Sequence, residues 1–445
     1  MEQSLSLISA QVQFLNDRLA LVHIPLDIYP YFLQPILQLM FHEVSPIDGH
    51  QTDDANDDQP AFLNLSITPV ECSVMCPRHL ADRYFAPLVE QFGKVNAFPR
   101  NCVSISEDDY IAMQVYGEGL DAGQRVLELT SPLAMAGISI FFISTYFSDY
   151  IVVPLRSKAQ VIRALEKRGF QFETSTDAFV NGNHIHSNSN GFGLGSPRSP
   201  TSQNSPPPTP PPSTLEELQT RTFCSLRKHH IVPSVDKSLR LVQCAAHHRY
   251  SSNSSSTSIL RPALTTALLV DNPRFLSLTL TATDPAASLL LEKRLLPRFS
   301  DDPSSLVDPE GETSVLLGSK EDVLVPITLD LRDLPLEATG IVCGVAGRLA
   351  AATHAQKAHA INFPSYPEDM AQSFVSSNSF YERQSSSSDL MTSSHHLEPD
   401  LDTSLDAVEI SFLSTARAGT VIVGEPELDR AVDALEGEIR EPEPF

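Results

Sequence analysis

The segment Ile138-Ser-Ile-Phe-Phe-Ile-Ser-Thr145 returns in the second half of the chain as Val408-Glu-Ile-Ser-Phe-Leu-Ser-Thr415. A β-prone run, a turn, a second β-prone run and an amphipathic segment follow one another in both places, which predicts a strand, a strand and a helix that occur twice. The two segments that complete the block return without a gap, Ile151–Val153 as Val421–Val423 and Val161–Glu166 as Ala431–Glu436. Asp149 corresponds to Gly419, so the copies differ in charge at one turn.

The similarity between the halves extends upstream, but with a different spacing. Phe62–Thr68 corresponds to Phe275–Thr281. Two earlier pairs share a spacing of their own, Leu33–Pro35 with Leu260–Pro262 and Val12–Phe14 with Leu239–Leu241. The first half therefore carries extra residues before Phe62, in an acidic loop, and the second half carries extra residues before Val408, in an insertion.

The order of these patterns predicts an α+β fold class with ferredoxin-like βαββαβ units, four in all and arranged in two pairs. A central segment rich in Pro, Ser and Gly, which includes Pro206–Pro212, favours an extended linker, and a serine-rich segment favours a disordered insertion. The predicted boundaries are 8–95 and 96–173 for the first two units, 174–222 for the disordered linker, 223–310 for the third unit, and 311–440 for the fourth, with its insertion at about 354–406.

Composition restricts the class of function. The 445 residues carry a formal charge of −24 and six cysteines, with a sequence pI near 4.9. An acidic chain lacks the clustered basic surface that nucleic acid or an anionic membrane requires. The cysteines show no disulfide framework, and no export signal or membrane span is recognised, so we expect reduced thiols and a cytoplasmic location. No catalytic, cofactor or metal motif is found, and we therefore expect a protein that is not an enzyme.

The residues resemble a known family. The run Leu129–Val153, with its Ser144-Thr-Tyr-x-x-Asp149 motif, resembles the second ACT domain of the CASTOR-type cytosolic arginine sensors. Gly340–Ala352 is similar to part of their fourth ACT domain, and Phe62–Cys76 to part of their first. The resemblance implies a non-enzymatic sensor, homodimeric in the way of the family, that binds an amino acid between its second and fourth ACT domains and acts on a regulatory complex of the TOR pathway.

Two alternatives stay open beside this interpretation. One is a feedback module of amino-acid biosynthesis, in which ACT domains regulate an enzyme such as aspartate kinase. The other is a scaffold whose pockets hold no ligand. Gly419 and Ala338 favour the scaffold, because they stand where the sensor family carries acidic contacts.

A free amino acid needs donors for its carboxylate, acceptors for its ammonium group and a pocket that suits its side chain. Thr130-Ser131-Pro132 is predicted to precede a helix, where hydroxyls and free backbone N–H groups favour an anion. The turns after the two repeated strands supply further polar groups. Together with the positions that the resemblance to the sensor family implies, Glu337, Gly340, Ile341, Val342 and Gly419, the predicted ligand-binding residues are Thr130, Ser131, Ser144, Thr145, Tyr146, Asp149, Ser414 and Thr415.

The identity of the ligand follows from charge. A buried guanidinium without a carboxylate partner costs several kcal/mol, on the order of the whole free energy of micromolar binding. Gly419 removes one acidic contact, and Glu337 is displaced in sequence from the position of the other. Arg417 in the same turn disfavours a cationic side chain. We therefore expect a small neutral or acidic amino acid, or no ligand.

The linker carries a cluster of residues that precede proline, which suits proline-directed phosphorylation. These are Ser196, Ser199, Ser205 and Thr209. Each phosphate would add about 1.5 to 2 negative charges to an already acidic chain.

Overall fold

A closed β-barrel surrounded by helices forms the core of the protein. The computed structural model describes residues 11–41, 61–95, 102–116, 122–172, 212–246, 254–284, 286–299, 316–361 and 410–440. The strands in these ranges are β1 (Gln11–Phe14), β2 (Leu19–Ile24), β3 (Phe62–Ile67), β4 (Cys72–Pro77), β5 (Ser104–Ile105), β6 (Tyr110–Tyr116), β7 (Phe141–Ser144), β8 (Asp149–Pro154), β9 (Gln171–Phe172), β10 (Ser234–Val235), β11 (Leu241–Ala246), β12 (Leu276–Thr281), β13 (Ala287–Glu292), β14 (Leu316–Leu317), β15 (Leu324–Asp330), β16 (Ile410–Ser414) and β17 (Ala418–Gly424).

The helices connect the strands on the outside of the sheet. In the same ranges they are α1 (Leu33–Phe41), α2 (Arg78–Tyr84), α3 (Ala86–Val95), α4 (Ala122–Met135), α5 (Lys158–Glu166), α6 (Leu215–Lys228), α7 (Ser254–Leu269), α8 (Ile341–Ile361) and α9 (Leu428–Arg440). Short 3-10 helices occupy Tyr29–Phe32, Leu155–Ser157, Lys293–Phe299 and Glu425–Glu427.

Twelve strands close into an antiparallel barrel. Their order around it is β6, β8, β7, β16, β17, β15, β11, β13, β12, β3, β4 and β2, which returns to β6. The other described strands extend this ring: β1 pairs with β6 and with β9, β10 with β15, β14 with β11 and β5 with β2.

The predicted fold class of four ferredoxin-like units in two pairs is wrong. Strand β3 of the first half pairs directly with β12 of the second half, and β7 of the first half meets β16 of the second. Strands from all four predicted units therefore belong to one closed sheet. The physical reason is that the outer strands of each half have unpaired backbone groups, and each half satisfies them on the other.

Side chains alternate between the inside of the barrel and the helical layers outside. On β3, Leu63 and Leu65 point outward to a core shared with α1, α2 and α7. A second outer core lies on the opposite side. It joins α4, α5, α6, α8 and α9 to strands β1, β6, β7, β8, β15, β16 and β17. The inside holds its own apolar cluster, which includes Phe62, Tyr150 and Phe275. Strands buried on both faces account for the continuous apolar runs in the sequence.

The long contact between the halves is the pairing of β3 with β12, which we call the long seam. Six residue pairs form it, and Leu65 lies opposite Leu278, its own counterpart in the sequence repeat. Inside the barrel, the Asn64 amide donates to Ser277 Oγ (3.2 Å) and to Thr279 Oγ1 (3.0 Å) and accepts from Ser66 Oγ (2.8 Å). These buried polar groups satisfy one another, which keeps their desolvation cost low.

The second contact between the halves is the meeting of β7 with β16, which we call the short seam. Ile143 lies opposite Leu413, its counterpart in the repeat, and this is the one residue pair that joins these two strands in the described chain. The backbone N–H of Phe412 also donates to Ser144 Oγ (3.1 Å). Behind the seam, the rings of Phe142 and Phe412 pack edge to face with centroids 6.3 Å apart.

Several predicted elements are confirmed. The repeated segment Leu33–Pro35 begins α1, and its proline is tolerated because it lies in the first turn, where its missing N–H is not needed. The β-prone run becomes β7, and the amphipathic segment becomes α5. The helix start predicted at Leu133 is wrong, since α4 begins at Ala122 and contains Thr130–Pro132. Gly137, with φ +69°, follows α4 and turns the chain toward β7.

The segments predicted to be disordered fall largely outside the described residues. Helix α6 begins at Leu215, inside the predicted linker, and Thr214 caps it by accepting from the Glu217 N–H. Helix α8 continues to Ile361, inside the predicted insertion. The rest of both segments, with Ser196, Ser199, Ser205 and Thr209, lies outside the described ranges. In those ranges no helix combines the length and the apolar character needed to cross a membrane.

We expect Asn64→Ala to lower the free energy of unfolding by roughly 1–3 kcal/mol, because it removes the buried amide that bonds Thr279, Ser277 and Ser66 at the long seam, although Ser66 and Ser277 remain bonded to each other. Urea denaturation measures the effect. Val270→Ala is the control, since Val270 is 70% exposed and its truncation should change stability by less than about 0.5 kcal/mol. Equal effects of the two substitutions would contradict the polar network.

Candidate functional site

A cavity of about 60 Å³ lies beside the short seam. It is bounded by the start of β7, the segment between β15 and α8, and the turn between β16 and β17. Six of the predicted ligand-binding residues line it: Gly340, Ile341, Val342, Ser414, Thr415 and Gly419. The other lining residues are Ile140, Phe141, Leu331, Leu334, Pro335, Leu336, Ala338, Ala416 and Ala418. The six residues come from two separate segments of the predicted fourth unit, and none of the predicted residues of the second unit lines this cavity.

The N-terminus of α8 forms one wall of this cavity. Gly340 has φ +82°, a conformation that glycine adopts without strain, and its carbonyl accepts from the Gly344 N–H (2.8 Å). A Cβ on Gly340 would lie 3.3 Å from Thr222 Oγ1 on α6, which leaves little room for another residue. The first backbone N–H groups of a helix have no partner within it, and its dipole is positive at that end. This wall therefore suits a carboxylate.

The cavity wall is uncharged. Among the described residues that line it, Ser414 and Thr415 supply hydroxyls and the others are apolar or glycine. Arg417, which was expected from the sequence to repel a cation, is not part of the lining. A charged ligand side chain would consequently be buried without a countercharge.

A buried carboxylate lies one hydrogen bond behind this wall. Glu71, in the turn between β3 and β4, is 0% exposed. Its Oε1 accepts from Thr415 Oγ1 (2.6 Å) and from the backbone N–H of Arg417, and its Oε2 contacts Nδ1 of His23. A first-half turn therefore holds the second-half turn that lines the cavity.

The corresponding turn of the second half carries Asp284, which aligns with Glu71 when Phe62–Thr68 is aligned with Phe275–Thr281. Its Oδ2 accepts from the Tyr150 hydroxyl (2.7 Å), and its Oδ1 accepts from Gln114 Nε2 (3.0 Å). Burial raises the pKa of the Asp284 carboxyl, and its hydrogen bonds, that from Tyr150 first, oppose the rise. Each half thus places one buried acid against the other half.

Asp149 does not reach the cavity. It is 4% exposed, and its Oδ2 accepts from Arg125 Nε on α4 (2.7 Å). Burial raises the pKa of its carboxyl, and the Arg125 charge opposes the rise. The nearby Ser144 accepts from the Phe412 N–H across the short seam, so both residues are engaged in contacts within the protein.

The remaining predicted residues also lie away from the cavity wall. Thr130 is buried inside α4, where its hydroxyl donates to the Val126 carbonyl (2.7 Å). Ser131 follows it in the same helix. Thr145 closes the turn before β8 by donating to the Ser148 carbonyl (2.7 Å). Tyr146 is 40% exposed, and its N–H donates to Ser288 Oγ (2.8 Å). Glu337 is exposed.

Glu71 and Asp284 were not predicted from the sequence. A signal was present, because each is an acid three residues beyond a β-prone run, and the two runs are copies of one another. Leu331 and Leu334 were also missed, since they line the cavity from a segment without periodicity. Among the described residues, no group of three or more His, Cys, Asp or Glu is placed to hold a metal ion.

Comparison with known families identifies one domain. Residues 105–167 match the ACT domain, a module that commonly binds small amino acids in a regulatory role. The matched range includes β7, β8 and α5, and therefore one side of the short seam. Comparison with curated proteins gave no match.

Solved structures give partial similarities. Protein Atu0741 from Agobacterium tumefaciens is 18% identical over 37% of this chain and 92% of its own, with a TM-score of 0.24. Aspartate kinase from Synechocystis is 10% identical over 97% of this chain, which spans 56% of the kinase, with a TM-score of 0.28. Protein VC0802 from Vibrio cholerae, described as a possible transport protein, is 15% identical over 36% of this chain and 90% of its own, with a TM-score of 0.21. With scores this low, none of the three establishes a shared overall fold.

We expect Glu71→Ala to increase hydrogen exchange in the turn from Thr415 to Ala418, because the substitution removes the acceptor of two hydrogen bonds from that turn. Mass spectrometry of deuterated peptides that cover residues 410–424 measures it. Glu337→Ala, which removes an exposed carboxylate, should leave exchange in the same peptides unchanged. An equal response to both substitutions would show that Glu71 does not hold the turn.

We expect the free energy of unfolding of the Asp284→Asn variant to increase relative to that of the parent protein as the pH rises from about 3.5 to 7. A carboxyl whose pKa is raised by folding supports the folded state below its ordinary pKa of about 3.9 and loses that contribution as the pH rises through its folded value. Urea denaturation at several pH values measures the difference.

Asp330→Asn provides the control of opposite sign. The hydrogen bond from Arg332 lowers the pKa of the Asp330 carboxyl, so that carboxyl stabilises the fold above its ordinary pKa. Asp330→Asn should therefore lose stability, relative to the parent, over the same rise in pH. If the two substitutions gave the same trend, the environment assigned to Asp284 would be incorrect.

Proposed function

We propose that this protein is a non-enzymatic regulator that binds a small neutral amino acid in the cavity beside the short seam. The observation that carries the proposal is the joining of the α8 N-terminus with Ser414 and Thr415 around one uncharged space. The helix end supplies donors for a carboxylate, and the hydroxyls supply acceptors for an ammonium group. The ACT match at residues 105–167 supports this class of ligand.

Cavity size favours a short side chain. A water molecule needs roughly 10–15 Å³ of such space, so the cavity of about 60 Å³ has room for only a few non-hydrogen atoms. That matches an amino acid such as glycine, alanine or serine. A wider cleft of about 660 Å³ shares Leu334, Pro335, Ala338 and Ile341 with the cavity, and it offers a path of entry from solvent.

Charge argues against arginine as the ligand. Gly419, the second residue of β17, supplies no acid to the cavity wall, and the carboxylate of Glu71 is already bonded to Thr415 and Arg417. A guanidinium in this space would lose its hydration without gaining a partner, which costs several kcal/mol. The lining also offers no cationic side chain to an acidic ligand. An acidic amino acid, which the sequence had left open, is therefore disfavoured.

The partner we propose is a regulatory complex of the TOR pathway in the cytoplasm. Its support is the resemblance of Leu129–Val153 and Gly340–Ala352 to the CASTOR-type sensors. Affinity purification with and without alanine tests it. Ligand-sensitive recovery of TOR regulators supports the proposal, recovery of a biosynthetic enzyme supports a feedback module, and ligand-insensitive recovery of partners supports a scaffold.

We expect alanine, glycine or serine to raise the thermal stability of the protein, and arginine to have no effect. Free ligand at a hundredfold excess over its dissociation constant adds about 2.7 kcal/mol to the free energy of unfolding. Differential scanning fluorimetry with each common amino acid measures it. Stabilisation by none of them, or by arginine most, would contradict the proposal.

Gly419→Ala tests the location of the site. The added Cβ would lie 3.4 Å from Leu331 Cδ1, which the fold tolerates, while it takes space from the cavity. Overpacking of this kind costs about 1–3 kcal/mol, so the affinity should fall by roughly 5- to 150-fold. Gly93→Ala on α3 is the matched control, since nothing lies within 4 Å of the added Cβ there. Unchanged affinity in Gly419→Ala would place the ligand elsewhere.

A further inference from the structure

A second cleft, of about 700 Å³, lies at one end of the barrel. Its walls come from the turn between β3 and β4, the chain between α6 and β11, the residues before β12, and β15 with the residues that follow it. Leu26 (39% exposed) and Val232 (58% exposed, at the rim) give it apolar surface, and the buried Ile67, Leu239 and Pro326 form its floor. Volume and mixed lining are those of a small-molecule site.

The cleft lies back to back with the amino-acid cavity. In the segment after β15, Arg332 and Asp333 line the cleft, whereas Leu331 and Leu334 line the cavity. The turn between β3 and β4 contributes Ile67–Val70 to the cleft, and the next residue, Glu71, holds the turn that lines the cavity. The two spaces therefore share walls without sharing lining residues.

Equivalent positions on the two pairs of strands carry small side chains near the cleft and large side chains in the other half of the barrel. Thr328 on β15 lies opposite Thr420 on β17, in the register in which Gln114 on β6 lies opposite Tyr150 on β8. Gln114 and Tyr150 reach inward to Asp284, whereas Thr328 lines the cleft. The replacement of Gln and Tyr by two threonines leaves this end of the barrel less filled.

Two buried hydroxyls at this end have no hydrogen-bond partner among the described residues. Tyr29, which is 5% exposed, is part of the cleft wall. Thr420, which is 1% exposed, lies across the sheet from Thr328. A buried hydroxyl without a partner is uncommon, because its desolvation is not compensated.

Three aspartates and two arginines line the cleft together with His229 and His230, so the aspartates outnumber the arginines by one. Arg274 donates to Asp236 (2.7 Å) and Arg332 donates to Asp330 (2.6 Å), so both lining arginines are already paired. The hydrogen bond to Asp330 raises the pKa of Arg332, and the charges of Asp330, Asp333 and Glu71 contribute further against the effect of burial. Asp333 therefore has only Arg332 as a nearby lining arginine, and Arg332 is already bonded to Asp330.

We propose that this cleft binds an organic ammonium ion with a hydrocarbon body. The ammonium group lies near Asp333 and the hydroxyls of the cleft, and the hydrocarbon lies against Ile67, Leu239 and Pro326. This site is separate from the proposed amino-acid cavity and does not depend on that cavity being occupied.

Calorimetric titration with three probes of similar shape tests the site in the full chain. The probes are 2-phenylethylamine, 2-phenylethanol and 3-phenylpropanoate. The amine should bind most tightly, the alcohol more weakly, and the carboxylate not measurably. Equal binding of the three probes, or no binding of the amine at millimolar concentration, would overturn the proposal.

Two substitutions locate the binding. Val232→Lys adds a positive charge at the exposed rim and should weaken binding of the amine by roughly two- to fivefold, the range for a solvent-exposed charge pair. Val270→Lys adds the same charge at another exposed valine, which does not line the cleft, and should leave binding unchanged. Equal effects of these substitutions would show that the amine responds to net charge and not to the cleft.

Competition separates this site from the amino-acid cavity. Saturating alanine should leave the amine bound, because the two spaces have different lining residues. Displacement of the amine by alanine would show that the two ligands share one site, and it would overturn the proposal of a separate site in the cleft. Binding of the amine to a protein that binds no amino acid would refute the proposed function and retain the cleft.

Discussion

Closure of the barrel between the two halves is the constraint on which the rest of the structure depends. Strands at the edge of each half carry unpaired backbone groups, and the other half satisfies them at two seams. At the long seam, Leu65 and Leu278 face each other, and Asn64 gathers the inward hydroxyls into one network. A polar interior is tolerated there because its groups are mutually bonded.

Two buried acids extend this closure to the turns. Glu71 reaches from the first half to the turn after β16, and Asp284 reaches from the second half to Gln114 and Tyr150. Both carboxylates lie in turns that directly follow seam strands. The position of the amino-acid cavity follows from this arrangement, because its Thr415 wall is held by an acid that belongs to the opposite half. Folding of either half alone would leave that wall without its support.

Local sequence patterns predicted individual strands and helices better than they predicted how the strands of the two halves pair. The β-prone run of β7 and the amphipathic α5 were visible because burial of a strand or helix face leaves a mark in the sequence. The pairing of Leu65 with Leu278 leaves no such mark, since any strand edge with free backbone groups accepts a partner. For the site, Ser414 and Thr415 were found through their position after a repeated strand, and Gly340 and Gly419 through the family resemblance. Thr130 and Asp149 were misleading, because an intrahelical bond and Arg125 already satisfy them.

The two seams differ in how they are held. Six residue pairs and a polar network form the long seam, whereas one residue pair, one bond to Ser144 and the Phe142–Phe412 ring contact form the short seam in the described chain. The short seam therefore depends on side chains and on the packing of α4 against α8 more than on backbone pairing. The cavity lies beside it, between Phe141 and Thr415. A ligand that touched both sides would add contacts across the boundary that has the least backbone pairing.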